Sequence, residues 1–546
     1  MAGASAGANG VPAPAERLDA SHARAVLAVL AGAALMVTYV ETMVVPAIVR
    51  FRVFFDGPPI GTVAWILSAY LLVGVATTPI FGKLGDIYGK KRVLVLVMSV
   101  YAAAVTIAGF TPPIGAAFGV SRFDQIYLLI AVRAVQGVGM SMFPLAFAMI
   151  GETFPPNRVA TAQGIVSAMF AAGATLGLVG GAWITEDFGW QTTYHTVIPV
   201  AILLVILTVI VLRESRHRLD RPLDIPGSAF LGLALVFGLM GLSEGPYWGW
   251  SNLTGVGIAG IPIGVPQLWV LALVFTVAFL VWEPRSPSPI VDFARLRERN
   301  IWISNVIAVL AGAGMFLIFV ANSILIQIPV VGLGRSVLDS GLLSVPTSNM
   351  MMLLGPVVGR AIPSIGPRPV MILGGLLMAA GGGLLAALTT TNIDLLGVTI
   401  PTIVFTTIPA LLGVIFCFIA MTNIIVLASG PKEMGIQTGM NATFRTLGQS
   451  LGPVVATTIL SSFTVVVLVP IATTPTGPVL VATPLPGLTG FQYVYLAAAL
   501  MGVLTAALSG LLVNYRFHAD GTRQDAAAPT PARRPVAEPR PTTARP

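Results

Sequence analysis

The chain has 546 residues, of which 55% are hydrophobic and only 10% charged, with a mean hydropathy of +0.88 and a net charge of +8. Soluble domains carry about 25% charged residues, so the main solvent of this chain is lipid. Apolar runs recur from about residue 25 to about residue 515, and one crossing takes about 20 apolar residues. That excludes a single-span or lipid-anchored protein, and the scatter of cations through short loops argues against nucleic acid as a partner.

Residues 1–24 are rich in Ala, Gly and Pro and lack the charged and apolar regions of a signal peptide. Fourteen helices are predicted, at about 25–49, 61–81, 92–111, 125–149, 161–184, 194–213, 225–244, 264–282, 301–329, 337–359, 369–390, 400–428, 437–469 and 489–514. The tail from 516 to 546 reads as disordered. With the N-terminus placed in the cytoplasm, 24 of the 30 Lys and Arg fall on the inner side and 4 on the outer side, which predicts cytoplasmic termini in a plasma membrane. Cys417, the only cysteine, lies in an apolar run, so no intramolecular disulfide forms.

Along these runs a few polar residues stand out. Glu41 lies deep in the first, where a lone charged carboxylate costs on the order of 3 kcal/mol or more. It reads either as a proton-exchanging group or as a structural acid paired to a neighbouring helix. The segment Gly82-Lys83-Leu84-Gly85-Asp86-Ile87-Tyr88-Gly89-Lys90-Lys91-Arg92 forms a short charged loop after the second. In it, Asp86 and Gly89 suit a gate and the cations suit topology, with Gly82, Lys90 and Arg92 completing the set. In the fourth run, Arg133 shares a helix face with Gln136 and Gly137, three and four residues on. An Arg does not exchange protons at working pH; it can tune a carboxylate or tie down backbone carbonyls. The fifth run carries Gly173, Gly177, Gly180 and Gly181, small residues that also serve close helix packing. Asn322 and Gln327, with Phe316 and Phe319, are candidates for a substrate cavity, as are Gln136, Asn441 and Arg445, and Met350, Met351 and Met352 suit an adaptable apolar lining.

Two spacings repeat. Gly82 with Gly89 recurs as Gly359 with Gly366, and Gly164, Gly173 and Gly177 recur as Gly439, Gly448 and Gly452. The order is the same in each half. This predicts two six-helix bundles (25–213 and 301–515) separated by a two-helix insert with its loops (214–300), an all-α membrane protein around a central path.

The loop at 82–92 resembles that between spans 2 and 3 of the major facilitator superfamily, G-x-L-a-D-r-x-G-r-k, with Ile87 in place of the mid-motif cation. Leu223-Asp224-Ile225-Pro226-Gly227 and Gly245-Pro246-Tyr247-Trp248-Gly249-Trp250 resemble the central insert of its fourteen-span drug:proton antiporter branch. Arg133-Ala134-Val135-Gln136-Gly137-Val138-Gly139 is similar to the family's R-x-x-q-G-x-g motif. The span-1 acid of the family is matched in kind by Glu41, one helical turn further on. The span-5 glycines are similar to g-x-x-x-G-P-x-x-G-G, with Leu178 where the proline stands. The resemblance implies a secondary carrier exporting lipophilic or cationic compounds in exchange for protons by alternating access, with Glu41 and Arg133 in coupling. It implies no cofactor, metal or enzymatic activity. Its partners are a small-molecule substrate, protons and the bilayer, and a monomer is expected to suffice. A specific-metabolite exporter or symporter is the alternative within that class, and a channel or non-transporting scaffold the alternative outside it. No phosphate-binding loop is present in the sequence.

Overall fold

Long runs with few charges and no water to satisfy the backbone favour helices, which close their hydrogen bonds internally. The computed structural model describes residues 20–154, 156–214, 224–253, 257–258, 261–287, 289–291, 293, 295–395, 398–428, 434–474 and 477–514. The expectations for residues 1–19, for Lys432 and for the tail from 515 lie outside them. The helices are α1 (Ala20–Thr42), α2 (Val44–Phe54), α3 (Ile60–Tyr88), α4 (Lys90–Gly109), α5 (Thr111–Ala117), α6 (Gln125–Gln136), α7 (Met142–Thr153), α8 (Pro156–Phe188), α9 (Trp190–Val211), α10 (Ile225–Trp248), α11 (Val265–Trp282), α12 (Arg299–Gln327), α13 (Val337–Leu342), α14 (Val345–Ile365), α15 (Pro367–Ala387), α16 (Ile403–Ala428), α17 (Met434–Ser462) and α18 (Leu488–Gly510).

Among the described residues, twelve helical segments are long and apolar enough to cross a membrane. Helices α14 and α17 are long but fall outside that set; α17 carries Gln437, Asn441, Arg445 and Gln449. Exposed Leu203, Ile206 and Ile210 on α9, Leu273, Val277 and Leu280 on α11, and Leu496, Leu500 and Val503 on α18 present an apolar exterior, as lipid requires.

Among the described residues, three antiparallel hairpins join helices: β1 (Gly257–Ile258) with β2 (Ile261–Pro262), β3 (Asn392–Leu395) with β4 (Val398–Pro401), and β5 (Thr464–Thr474) with β6 (Gly477–Pro486). The last is long and pairs Val465 with Leu485 and Val467 with Thr483. The predicted helix 437–469 therefore stops early, at Ser462. A run of Val465, Val466, Val467, Leu468 and Val469 is apolar enough for a span, but its β-branched side chains suit a strand. The predicted first helix is interrupted at Met43 and the predicted tenth is two helices, α13 and α14.

The repeated glycines occupy equivalent places. Gly89 (φ +106°) joins α3 to α4, and Gly366 (φ +84°) joins α14 to α15; each is a single-residue joint in the left-handed region where a side chain is strained. Gly173 and Gly177 of α8 press on the carbonyls of Leu35 and Tyr39 in α1, while Gly448 and Gly452 of α17 press on those of Val309 and Ala313 in α12. A four-residue step of small side chains meets a four-residue step of backbone in both seams. Gly181 continues the first seam against Met43, and Thr42 Oγ1 donates to the Ala174 carbonyl at 3.0 Å. Helix α10 lies against α11, α3 and α17, with Leu239 meeting Leu72 and Val454.

Candidate functional site

The first half holds a charged chamber. Arg133 in α6 is fully buried, and its guanidinium is fixed on three sides. Its Nε donates to the Ile66 carbonyl at 3.0 Å, Nη1 donates to Gln136 Oε1 at 2.8 Å, and Cζ stands 4.5 Å from the centre of the Tyr70 ring. The three-residue step from Arg133 to Gln136 makes the second bond local; the stacking on Tyr70 holds the planar group. Among the described residues its Nη2 has no hydrogen-bond partner, nor do Gln136 Nε2 and the hydroxyls of Tyr70, Tyr101 and Tyr194.

Glu41, 4% exposed, faces the same chamber from α1, and its Oε2 is likewise without a partner. Among the described residues no cation is within ion-pair distance of it. The charges of Arg133 and Arg445 nevertheless act on it, one from each half of the chain. Arg445, on α17, is half-buried with its guanidinium 5.3 Å from the Phe418 ring centre. A buried carboxylate held in the field of two cations, without being locked to either, retains free lone pairs for a proton or a cationic ligand.

The second half holds an uncharged chamber. Asn322 of α12 accepts from Tyr495 at 2.8 Å and donates to Thr407 at 2.9 Å. With Phe319, Ser340, Thr347 and Leu411 it lines a pocket that reaches Val45, Pro46 and Leu178 of the first half. The halves close on one another beside it. Ser323 donates to the Val45 carbonyl at 2.9 Å, Gln327 donates to the Pro46 carbonyl at 2.8 Å, and the Leu338 amide donates to the Glu186 carboxylate. Gly341 of α13 packs against the Leu178 carbonyl, 2.6 Å from where its Cβ would stand.

At the opposite ends of these helices, Lys90 bridges Asp86 at 3.4 Å and Glu152 of α7. Glu214, beyond α9, accepts from the amides of Lys91 and Arg92 at 3.1 and 3.2 Å and pairs with the Arg92 side chain at 3.6 Å. The sequence reads 82–92 as a loop, but residues 82–88 end α3 and residues 90–92 begin α4, leaving Gly89 alone outside a helix. This junction is pinned from two neighbouring elements, and the acids lie where the N-terminus of α4 favours negative charge.

The model of the Major Facilitator Superfamily matches residues 30–453. The chain belongs to that superfamily. It is 26% identical over 392 residues to the multidrug transporter protein MdtP of Bacillus subtilis (71% of this chain, 66% of that protein). It is 26% identical over 408 residues to the tetracenomycin C resistance and export protein of Streptomyces glaucescens (73% and 69%). It is 25% identical over 453 residues to the multidrug resistance protein Stp of Mycobacterium tuberculosis (79% and 75%). The chain thus spans about two thirds to three quarters of these relatives. In architecture it is similar to a D-xylose–proton symporter (TM-score 0.59, 12% identity, 89% of this chain and 97% of that one) and to the human organic anion transporter MFSD10 (0.53, 15%, 89% and 99%). Such distant likeness carries the fold: a multi-pass transporter architecture.

Within this facilitator fold, the charges of Arg133 and Arg445 act on Glu41, Gln136 holds Arg133, and Asn322 and Gln327 lie at the second chamber and its closed face. Asn441 does not reach that pocket; it donates to Asn305 at 3.0 Å and to the Ser304 carbonyl at 3.4 Å. Gly173, Gly177 and Gly181 are packing surfaces toward α1, whereas Gly180 has only the Tyr39 ring nearby, at 3.7 Å. Phe316 is core, while Phe319 lines the pocket. Tyr70, Tyr101, Tyr194, Thr407 and Tyr495 are additions from the structure; aromatic and hydroxyl side chains inside apolar runs give no signal of their own.

Proposed function

We propose that this protein is a fourteen-span secondary exporter of lipophilic or cationic compounds, driven by protons entering in exchange, with both termini in the cytoplasm. One observation carries the reading: the buried Glu41 carboxylate, open at Oε2, feels the charges of both Arg133 and Arg445. A proton or a cationic substrate neutralises Glu41, and either one relieves the cost of a buried charge. Binding of one therefore competes with the other. Arg133 steadies the chamber through Gln136, Ile66 and Tyr70. The contacts from Ser323 and Gln327 to Val45 and Pro46 close one face, and the pinned α3–α4 junction at Gly89 belongs to the other, so alternation exchanges these two closures. The names of the relatives, multidrug transporter and resistance proteins, support efflux.

The uncharged lining around Asn322 and Thr407 favours a second reading, an exporter or proton symporter of a specific metabolite with hydroxyl or carbonyl groups. Reconstitution in liposomes separates the two. An imposed proton gradient should drive a lipophilic cationic dye in the wild type and not in Glu41→Gln. Wild-type vesicles that move no dye under any gradient refute multidrug antiport; a mutant equal to wild type refutes the role of Glu41.

A further inference from the structure

A second pair of acids lies far from Glu41 in sequence and outside both chambers. Asp224 precedes α10 and Glu283 follows α11, and they are 5% and 0% exposed. Asp224 Oδ1 accepts from the Gly227 amide at 2.9 Å and from the Trp282 indole at 2.8 Å. Glu283 Oε1 accepts from the Val291 amide at 2.6 Å. The other oxygen of each, Asp224 Oδ2 and Glu283 Oε2, has no donor among the described residues. Both point to one spot: a Cβ added to Gly227 would stand 2.6 Å from each. The two carboxyls are within hydrogen-bonding reach of one another. Gly227 is thus a glycine because two carboxyl oxygens occupy the space a side chain would need.

Two buried carboxylates that meet in this way are costly if both are charged, and one shared proton converts repulsion into a short hydrogen bond. We propose that Asp224 and Glu283 form a proton-binding site that holds a single proton between them, with Glu283 donating and Asp224 accepting. The asymmetry follows from the surroundings. Burial disfavours the charged Asp224, but the bonds from the Trp282 indole, the Gly227 amide and Ser286, with the charge of Lys83, outweigh it and hold its carboxyl below the usual range. Glu283 is faced by the amides of Ile290 and Val291 and by Asp224 itself, and no cation acts on it among the described groups. Released, the proton passes to the adjoining aqueous phase and leaves two like charges across the junction of α10 and α11. The site therefore fastens these two helices to each other and to the segment at 290–291, and the charge of Lys83 places it beside the C-terminal end of α3.

Infrared spectroscopy on the full-length protein in lipid nanodiscs tests this, with the C=O stretch of protonated carboxylic acid as the readout. Wild type should show such a band near neutral pH that survives in Glu41→Gln and is lost in Glu283→Gln. It should also be lost in Asp224→Asn, because the new amide donates to Glu283 and leaves it ionised. A band unchanged in Asp224→Asn shows Glu283 protonated without sharing and overturns the site. So does a wild-type spectrum whose only such band disappears with Glu41→Gln, a result that needs neither pair variant to fold. Because Glu41→Gln is read separately, failure of the transport proposal leaves this test standing.

Discussion

The two halves share a scaffold and differ in chemistry. In each, a pair of glycines four residues apart lets one long helix settle on the backbone of another: Gly173 and Gly177 on α1, Gly448 and Gly452 on α12. In each, a single left-handed glycine joins two helices, Gly89 and Gly366. Yet the space enclosed by the first half holds Glu41, Arg133 and Gln136, while that of the second holds Asn322, Thr407 and Tyr495. The contacts that depend on the absence of a side chain recur in both halves. The polar groups of the two interiors differ, because they are not constrained by that packing. Arg445 is the exception that joins the two, since its charge reaches Glu41 from the second half.

Four experiments test this division. The largest effect is expected for Glu41→Gln, which should reduce proton-driven transport to background while Asn322→Ala keeps its dependence on the gradient; equal losses would erase the distinction between a charged and a neutral chamber. Next, Arg133→Ala leaves Gln136 Oε1 and the Ile66 carbonyl without their donor. It should lower stability in detergent by about 3 kcal/mol, as for a buried charge network broken at one partner. A smaller loss, read from thermal unfolding, would mean the chamber is better hydrated than its burial implies. Third, Gly177→Ala and Gly448→Ala each place a methyl group against backbone and should cost about 1–3 kcal/mol, whereas Gly180→Ala should be near neutral. If only one seam is sensitive, the two are not equivalent. The smallest effect is expected from Asn322→Ala itself, about 1 kcal/mol for a lost hydrogen-bond pair, together with a severalfold rise in the apparent substrate constant.

The sequence carried much of the fold and less of the site. Predicted spans such as 61–81 and 225–244 fall on Ile60–Tyr88 and Ile225–Trp248, because apolar length is a one-dimensional property. Where it fails, the cause is chemical ambiguity: residues 464–469 are as apolar as a span but form β5. The glycine spacings were legible because both halves repeat them. Glu41 and Arg133 were each conspicuous as charges within apolar runs. That their fields meet, and that Arg445 joins them, depends on helix packing across residues far apart in the chain. Asp224 and Glu283 show the limit most plainly. Each stands at a helix end, where an acid is ordinary; their meeting over Gly227 is a tertiary fact with no local sign.

The long β5–β6 ribbon has one further property. Proline has no amide hydrogen, so Pro484 and Pro486 can accompany Val466 and Thr464 only where the ladder makes no bond. Their nitrogens therefore lie on the outer edge of β6, which offers no donor to an added strand at either place. A long, charge-free ribbon of this kind would otherwise invite pairing with another strand; on the β6 side, the chain carries its own guard against strand exchange.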